Sequence, residues 1–449
     1  MQPVVTPTEM KAIDEASPEP VDVLVDRAGA AVARAALEVL GGGYGRRVVV
    51  IAGKGNNGAD GKAAARRLAR RGVRTEVVAV SDRPDRVTGV DLVIDAAFGT
   101  GFHGEYDAPD PGGAPVLAVD IPSGVNGLTG EAGEGAVRAD RTVTFAAWKP
   151  GLLLHPGREL AGSATLVDIG LDTSSATAGL MEESDVKQWL PAPSAESHKW
   201  KAALWVLAGS PGMTGAAHLC ARAAFRSGAT TVRLGIPGVA PDPIFLEIVG
   251  RTVPATGWHT AVLEDSERAK ALAVGPGLNR TEAAGEGARN LIAQSPLPVV
   301  VDADGLYALG TAEEARSILA RRSAGTVLTP HDGEFARLAG AKPGADRIEA
   351  TRDLARRVGA TVLLKGSTTV VAEPGGRVLI STAGDPRLAT AGTGDVLTGV
   401  IGAFLALGLE PLRAAGAAAF VHGTAAHLGW RRGLVAGDLL DLLPQVLSR

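Results

Sequence analysis

Gly392-Thr393-Gly394-Asp395 runs directly into the apolar stretch Val396 to Leu405. Small residues at a helix start let backbone N–H groups converge on an anion, where the helix dipole also favours negative charge, and an aspartate there can take a hydroxyl proton. Such a turn suits phosphoryl transfer to an alcohol. Alone, it is as often an ordinary turn before a helix. Two upstream boxes add weight: Lys365-Gly366-Ser367-Thr368-Thr369 follows the strand-like run Ala360 to Leu364, and Thr329-Pro330-His331-Asp332-Gly333-Glu334 follows Gly325 to Leu328. Both fall where an α/β sheet presents its carboxyl edge, the usual place for a ligand.

The 449-residue chain is too long for one typical domain. Aromatic residues make up 4% and glycine fills 59 positions, which favours closely packed α/β layers over an all-β sandwich. A net charge of -4, with arginines scattered over helical faces such as Ala65 to Arg71, predicts no nucleic-acid partner. Cys220 is the single cysteine, so no internal disulfide can form, and Met1-Gln2-Pro3-Val4 lacks the pattern of a signal peptide; a reducing cytoplasm is the expected compartment. The most apolar run, Val396 to Leu409, is short, broken by Gly399, Gly402 and Gly408 and bounded by Asp395 and Glu410, so it predicts a buried core helix and no membrane partner.

Two α/β series are visible. Arg47 to Ala52, Thr75 to Val80, Leu92 to Ala96, Val116 to Ile121, Arg141 to Phe145 and Ala164 to Ile169 read as buried strands, with helical patterns such as Gly61 to Arg71 between some of them. Around Leu171 to Pro193 the pattern dissolves into Thr, Ser, Ala, Glu and Pro. The second series runs through Leu204 to Ala208, Thr230 to Gly235, Ala271 to Gly275, Pro298 to Asp302, Gly325 to Thr329, Thr361 to Lys365 and Gly376 to Ile380, and Asp395 to Leu428 reads as mainly helical.

The first strand leads into Gly53-Lys54-Gly55-Asn56-Asn57-Gly58-Ala59-Asp60-Gly61, which contains the G-x-G-x-x-G spacing of dinucleotide-binding turns, with Asp82 as a ribose acceptor on that reading. Hydride transfer needs neither the paired amides of Asn56 and Asn57 nor a carboxylate at Asp60, so the loop reads as specialised for another ligand. Asp95-Ala96-Ala97-Phe98-Gly99-Thr100-Gly101 and Asp120-Ile121-Pro122-Ser123-Gly124 also follow strands and offer oxygen ligands or proton acceptors. Any one of the three loops is explained as well by helix capping and turns. Together they point to a site.

These three loops, with Lys149-Pro150-Gly151-Leu152 and Val167-Asp168-Ile169-Gly170, resemble the N-terminal domain of NAD(P)H-hydrate epimerases. The resemblance implies that Asn56, Asn57, Gly58, Ala59 and Asp60 contact a hydrated nicotinamide nucleotide, and that Asn57, Asp95 and Ser123 hold a potassium ion. It also implies that Gly99, Thr100, Gly101, Phe102, His103, Gly104 and Glu105 line the ligand with Asp120, taken as the acid/base. The family usually has glycine at Ala59; if that position needs a positive φ, the alanine would strain the loop.

The second half resembles the ribokinase-like NAD(P)H-hydrate dehydratases through His198-Lys199-Trp200-Lys201, Ala208-Gly209-Ser210, Gly215-Ala216-Ala217, Val274-Gly275-Pro276-Gly277-Leu278, Val301-Asp302-Ala303-Asp304-Gly305-Leu306 and the three boxes quoted first. The joint resemblance, to the bifunctional bacterial repair enzymes, implies an N-terminal Rossmann-like three-layer domain over residues 1–185 and a ribokinase-like α/β domain over 186–449. The implied substrates are NADHX and NADPHX, reduced nucleotides hydrated on the ring. Asp395 would remove the hydroxyl proton, and the N–H groups of Thr393, Gly394 and Asp395 would stabilise the transferring phosphoryl group. Ala216, Gly277 and His331 would contact the hydrate; Lys365, Gly366, Ser367, Thr368, Thr369 and Gly394 would hold ADP with Mg2+, for which Asp304 and Glu334 are candidate ligands. A homo-oligomer is expected, as for many domains of both types. Two competing readings remain: a kinase of a vitamin precursor or sugar with a nucleotide-sensing N-terminal module, and a non-catalytic N-terminal domain whose Ala59 marks lost activity.

Overall fold

The computed structural model describes residues 1–192, 194–241 and 247–448. Pro193, the end of the expected linker run, lies outside the described residues. One compact unit spans Gln2–Gly179 and the other begins at Leu180. Helix Glu183–Trp189, across which the sequence placed the domain division, therefore sits whole in the second unit.

Among the described residues, the first unit has six parallel strands in the order Arg74–Ala79, Arg47–Ala52, Leu92–Ala96, Val116–Val119, Arg141–Phe145 and Ser163–Val167. The chain turns to one side of Arg47–Ala52 and then to the other. That switch point opens a crevice at the carboxyl ends of Arg47–Ala52 and Leu92–Ala96. The register there pairs Ile51 with Asp95 and Ala52 with Ala96, which sets the Gly53 and Asp95 loops side by side. Helices Val21–Leu40 and Asn56–Ala69 share an Ala- and Val-rich core with one sheet face, while Val87, Tyr106 and Val137 pack on the other. The expected strand Val116 to Ile121 ends at Val119 because Asp120 takes a left-handed φ of 65°.

The second unit's sheet runs Val378–Ser381, Thr369–Ala372, Thr361–Leu364, Thr326–Leu328, Val299–Val301, Ala271–Val274, Ala203–Leu207, Thr231–Gly235, Val249–Arg251. Thr369–Ala372 is antiparallel to both neighbours and the other pairs are parallel. Val249–Arg251 and Thr369–Ala372 left no readable pattern, the first because three residues are too few and the second because it follows its partner strand so closely. The expected helical stretch Asp395 to Leu428 divides into Thr393–Ala406 and Pro411–Leu428, separated by Gly408 at φ 95° and started again by Pro411.

Helix Thr393–Ala406 is buried almost throughout, packed against the sheet and against helix Thr214–Arg226. No helix among the described residues is long and apolar enough to cross a membrane. A Cβ at Gly399 would lie 2.2 Å from the carbonyl oxygen of Cys220 and 2.8 Å from Ala223 Cβ, so the two helices meet backbone to backbone. Gly399→Ala gains about 1 kcal/mol of helix propensity but must force the helices apart, an overpacking cost of about 1–3 kcal/mol. The expected outcome is a net loss of stability in urea unfolding, whereas Gly437→Ala, with nothing within 4 Å of the added Cβ, should be neutral or stabilising.

Candidate functional sites

The crevice of the first unit opens into a cavity of about 1210 Å3. Asn56, Asn57, Asp60, Gly99, Thr100, Gly101, Phe102, His103, Glu105 and Asp120 line it; Gly58, Ala59 and Gly104 do not. Packing requires glycine at Gly53 and Gly58 of this spacing but not at Gly55, where an added Cβ would meet nothing within 4 Å. A Cβ on Gly53 would meet Ala97 O at 2.0 Å, and one on Gly58 would meet Gly53 O at 2.1 Å. Ala59 corrects the sequence expectation: it sits in the first turns of helix Asn56–Ala69, its N–H bonded to Gly55 O at 3.1 Å, and it has no positive φ. Alanine suits a helix, so the departure from glycine strains nothing.

Two polar clusters adjoin the cavity: Asn57 and Phe98 of the first and Asp120, Phe145 and Lys149 of the second line it, whereas Asp95, Ser123 and Thr144 do not. In the first, Asp95 is buried, with Oδ2 accepting from Ser123 N at 2.8 Å and Oδ1 from Ser123 Oγ at 2.7 Å. Burial raises the Asp95 carboxyl to about 6 against the lowering effect of those bonds. Asn57 Nδ2 donates to Phe98 O at 2.8 Å, while Asn57 Oδ1 is buried with no hydrogen-bond partner. In the second cluster, the ammonium of buried Lys149 donates to Asp120 Oδ1 at 2.6 Å, Thr144 Oγ1 at 3.0 Å and Phe145 O at 2.9 Å, and Thr144 Oγ1 also donates to Asp120 Oδ1 at 3.0 Å. The left-handed backbone at Asp120 turns its carboxylate onto this lysine. Asp60 and Asp14 face the same space, and burial raises both, Asp60 to about 8. Asp14 was not visible as a site residue, since it lies far upstream on a polar helix, and Lys149 was quoted without a role.

In the second unit the order of strands reverses between Ala203–Leu207 and Ala271–Val274, and the boxes that begin at Ala208, Val274, Val301, Thr329 and Lys365 follow the carboxyl ends of strands, whereas His198-Lys199-Trp200-Lys201 precedes Ala203–Leu207 and lies at the opposite, amino end. A Cβ on Gly277, at φ 65°, would lie 3.1 Å from Ala216 Cβ, so these two residues, expected to share a ligand, are neighbours. Lys365 to Thr368 form the turn of the antiparallel hairpin, and Thr369 begins its second strand. Arg347 joins this turn to the His331 loop, donating to Asp332 Oδ1 at 2.8 Å and to Lys365 O at 3.0 Å. Asp302 is buried and holds Lys365 Nζ at 2.5 Å and Thr398 Oγ1 at 2.6 Å. Arg347 and Thr398 gave no signal because their partners are distant in sequence.

Asp395 sits in the first turn of helix Thr393–Ala406, beside this cluster. Burial is the main cause that raises it to about 6, Asp302 adds to the shift, and Lys365 opposes it. The Thr393 N–H turns back to Thr390 O at 3.3 Å, which corrects the expected trio of donors; Gly394 and Asp395 supply the N–H groups of the next two helical positions, which have no intrahelical acceptor. His331 caps helix Asp332–Ala339 through Nδ1, which accepts from Gly333 N at 3.0 Å, and its Nε2 lies 3.5 Å from Glu334 Oε1 on an exposed ring. Asp304 accepts from Arg280 Nε and Asn279 N at 2.9 Å each, and Glu334 accepts from His331 N at 3.0 Å through Oε2.

Fold and sites together define a two-domain α/β enzyme in which a Rossmann-like unit with a polar nucleotide-sized cavity precedes a ribokinase-like unit. Residues 204–448 match the family model described as NAD(P)H-hydrate dehydratase, and residues 21–88 and 80–151 match that of the YjeF-related protein N-terminus. The bifunctional NAD(P)H-hydrate repair enzyme Nnr of Moorella thermoacetica is 35% identical over 99% of this chain and 96% of its own length. Its counterpart from Mycobacterium tuberculosis H37Rv is 41% identical over 84% of this chain and 82% of its own. The solved ADP/ATP-dependent NAD(P)H-hydrate dehydratase of Bacillus subtilis, co-crystallised with ATP and Mg2+, is 33% identical, with a TM-score of 0.53 over 60% of this chain and 96% of that one. The chain belongs to the bifunctional NAD(P)H-hydrate repair enzymes. The small-molecule kinase and the non-catalytic N-terminal domain are thereby set aside.

With Asp395 as the expected base, which must be ionised to take a hydroxyl proton, dehydratase kcat/KM should fall as pH drops through about 6, the value to which burial raises this carboxyl. Asp395→Asn should cost about 100-fold or more in kcat and abolish that acid limb. The pH profile of nucleotide-dependent dehydration of the pure S hydrate checks both.

Proposed function

We infer that the first unit interconverts the R and S hydrates of NADH and NADPH, and that the second dehydrates the S form at the expense of a nucleotide, with ADP yielding AMP and phosphate. The observation that carries this is the pairing of two built sites in one chain whose relatives, matched over nearly their full length, are bifunctional repair enzymes.

In the second site the Asp395 carboxylate takes the proton of the substrate hydroxyl as its oxygen attacks the terminal phosphorus of the nucleotide. The N–H groups of Gly394 and Asp395, at a helix start, face the charge that develops on the phosphoryl oxygens. Hydroxide leaves poorly and phosphate leaves well. Once phosphorylated, the ring expels phosphate as the nitrogen lone pair assists C–O cleavage, and loss of a ring proton restores the dihydropyridine. Lys365, held by Asp302, lies where a nucleotide phosphate binds at the hairpin turn. We assign Mg2+ to the nucleotide, supported by the ATP/Mg2+ complex of the Bacillus relative.

Potassium fits the first site. Asn57 Oδ1 is a buried oxygen without a partner, and Asp95, Ser123 Oγ and Phe98 O add hard oxygen donors close by. A bound monovalent cation there supplies fixed positive charge to a site otherwise dominated by carboxylates. Asp120, oriented by Lys149 and Thr144, is the acid/base group that faces the substrate.

A mixed R and S NADH hydrate should regain full reduced-nicotinamide absorbance with ADP, faster than spontaneous epimerisation allows. Recovery that stops at the S fraction would remove the epimerase assignment, and a stable phosphorylated product would remove the dehydratase. Replacing K+ by a bulky organic cation should slow epimerisation alone, and Asn57→Ala should lose the dependence on K+; epimer ratios followed by chromatography without nucleotide read both effects.

A further inference from the structure

Three carboxylates, Asp14, Asp60 and Asp120, line the epimerase cavity with one buried ammonium, Lys149. An ammonium has three N–H donors. Those of Lys149 go to Asp120, Thr144 and Phe145, so none is left for Asp60. Lys54, Arg83, His103, Glu105 and Asp107 also line the cavity. Burial first, then Asp120 and Asp14, push Asp60 up to about 8, against the opposing pull of Lys149. The carboxyl groups of this one pocket therefore differ in kind: Asp120 is ion-paired, whereas Asp60 is buried without a hydrogen bond from Lys149, surroundings that favour its protonated form. A buried carboxyl that no ammonium contacts is suited to give a proton, and a carboxylate held by an ammonium is suited to accept one.

We propose that Asp60 is the general acid of epimerisation, giving its carboxyl proton to the departing hydroxyl of the hydrate while Asp120 takes a proton from the water that returns to the opposite face. The hydroxyl-bearing ring carbon is bonded to the ring nitrogen. As its C–O bond breaks, the bonding pair leaves with oxygen, the Asp60 proton completes a water molecule, and the nitrogen lone pair forms a C=N bond carrying positive charge. A water oxygen then bonds to that carbon from the other face, the C=N pair returns to nitrogen, and Asp120 accepts the released proton. Proton exchange between the two carboxyl groups through cavity water resets the site. No oxidant or nucleotide is consumed, and the cationic intermediate forms among carboxylates that favour it.

The proposal rests on the epimerase reading, and the test separates the two. Full-length protein is given the pure R hydrate of NADH without nucleotide, and the appearance of S hydrate is followed by chromatography. Absence of epimerisation by the wild-type chain would sink the epimerase reading itself. With an active wild type, Asp60→Asn should lower kcat about 100-fold or more with little change in KM. Wild-type activity should decline as pH rises through about 8 and Asp60 loses its proton, and the variant should lack that limb. Asp14→Asn removes a negative neighbour, so it should move the limb to lower pH while leaving Asp60 in place. Thermal unfolding of each full-length variant, with a transition for the first unit matching that of the wild type, reports that Asp60 and Asp14 have been replaced in a folded domain. A wild-type kcat in Asp60→Asn, a loss confined to KM, or an alkaline limb that stays put in both variants would overturn the assignment.

Discussion

The second unit is organised by one buried carboxylate. Asp302 lies at the end of strand Val299–Val301, and its two oxygens hold Lys365, at the end of strand Thr361–Leu364, and Thr398, inside helix Thr393–Ala406. Three elements far apart in sequence are thus fixed at one point. Removing one partner of such a buried pair leaves a charge in a medium that cannot solvate it, at a cost of about 3–5 kcal/mol. The same contact aims the lysine at the hairpin turn and holds the helix whose first turn carries Asp395. Gly275, at φ 130°, completes the fit, because a Cβ there would lie 1.9 Å from the Asp302 carbonyl oxygen.

That dependence explains which regions of the fold were legible in the sequence. Strands such as Leu92 to Ala96 and Ala271 to Val274 announce themselves, since strands buried on both faces are continuous apolar runs. The glycine boxes announce loops, and the order of boxes made the family recognisable. Residues that act through distant partners were silent. Arg347 and Thr398 are ordinary helix residues until the fold brings them to Lys365 and Asp302. Asp14 is one acid among several on a polar helix until the fold brings it to the rim of the cavity with Asp60 and Asp120. Ala59 misled for a related reason: the family's glycine there suggested a positive φ, whereas the backbone is helical.

Glycine serves two separate ends. At Gly53, Gly58 and Gly399 it allows backbones to touch, and the missing Cβ is the whole reason for the residue. At Gly277 and Gly392 a positive φ lets the chain turn where a residue with a side chain would be strained. Close backbone packing gives the helix starts a fixed position, and catalysis at a helix terminus depends on such fixed donors because they need no reorganisation during the reaction.

Both sites exploit burial to set the proton affinity of a carboxyl group, with opposite requirements. Asp395 must be ionised to accept a proton, and its value of about 6 makes it so in neutral solution. Asp60 is raised further, to about 8, first by burial and then by Asp120 and Asp14, and the Lys149 ammonium that opposes the shift gives it no hydrogen bond. A base in one unit and an acid in the other are therefore both in their working forms between about pH 6 and 8. Repair of a mixed hydrate pool needs the two activities at once, because epimerisation alone only redistributes the damage and dehydration alone strands the R form. The differing burial and charge around two aspartates supply that shared window without any communication between the sites.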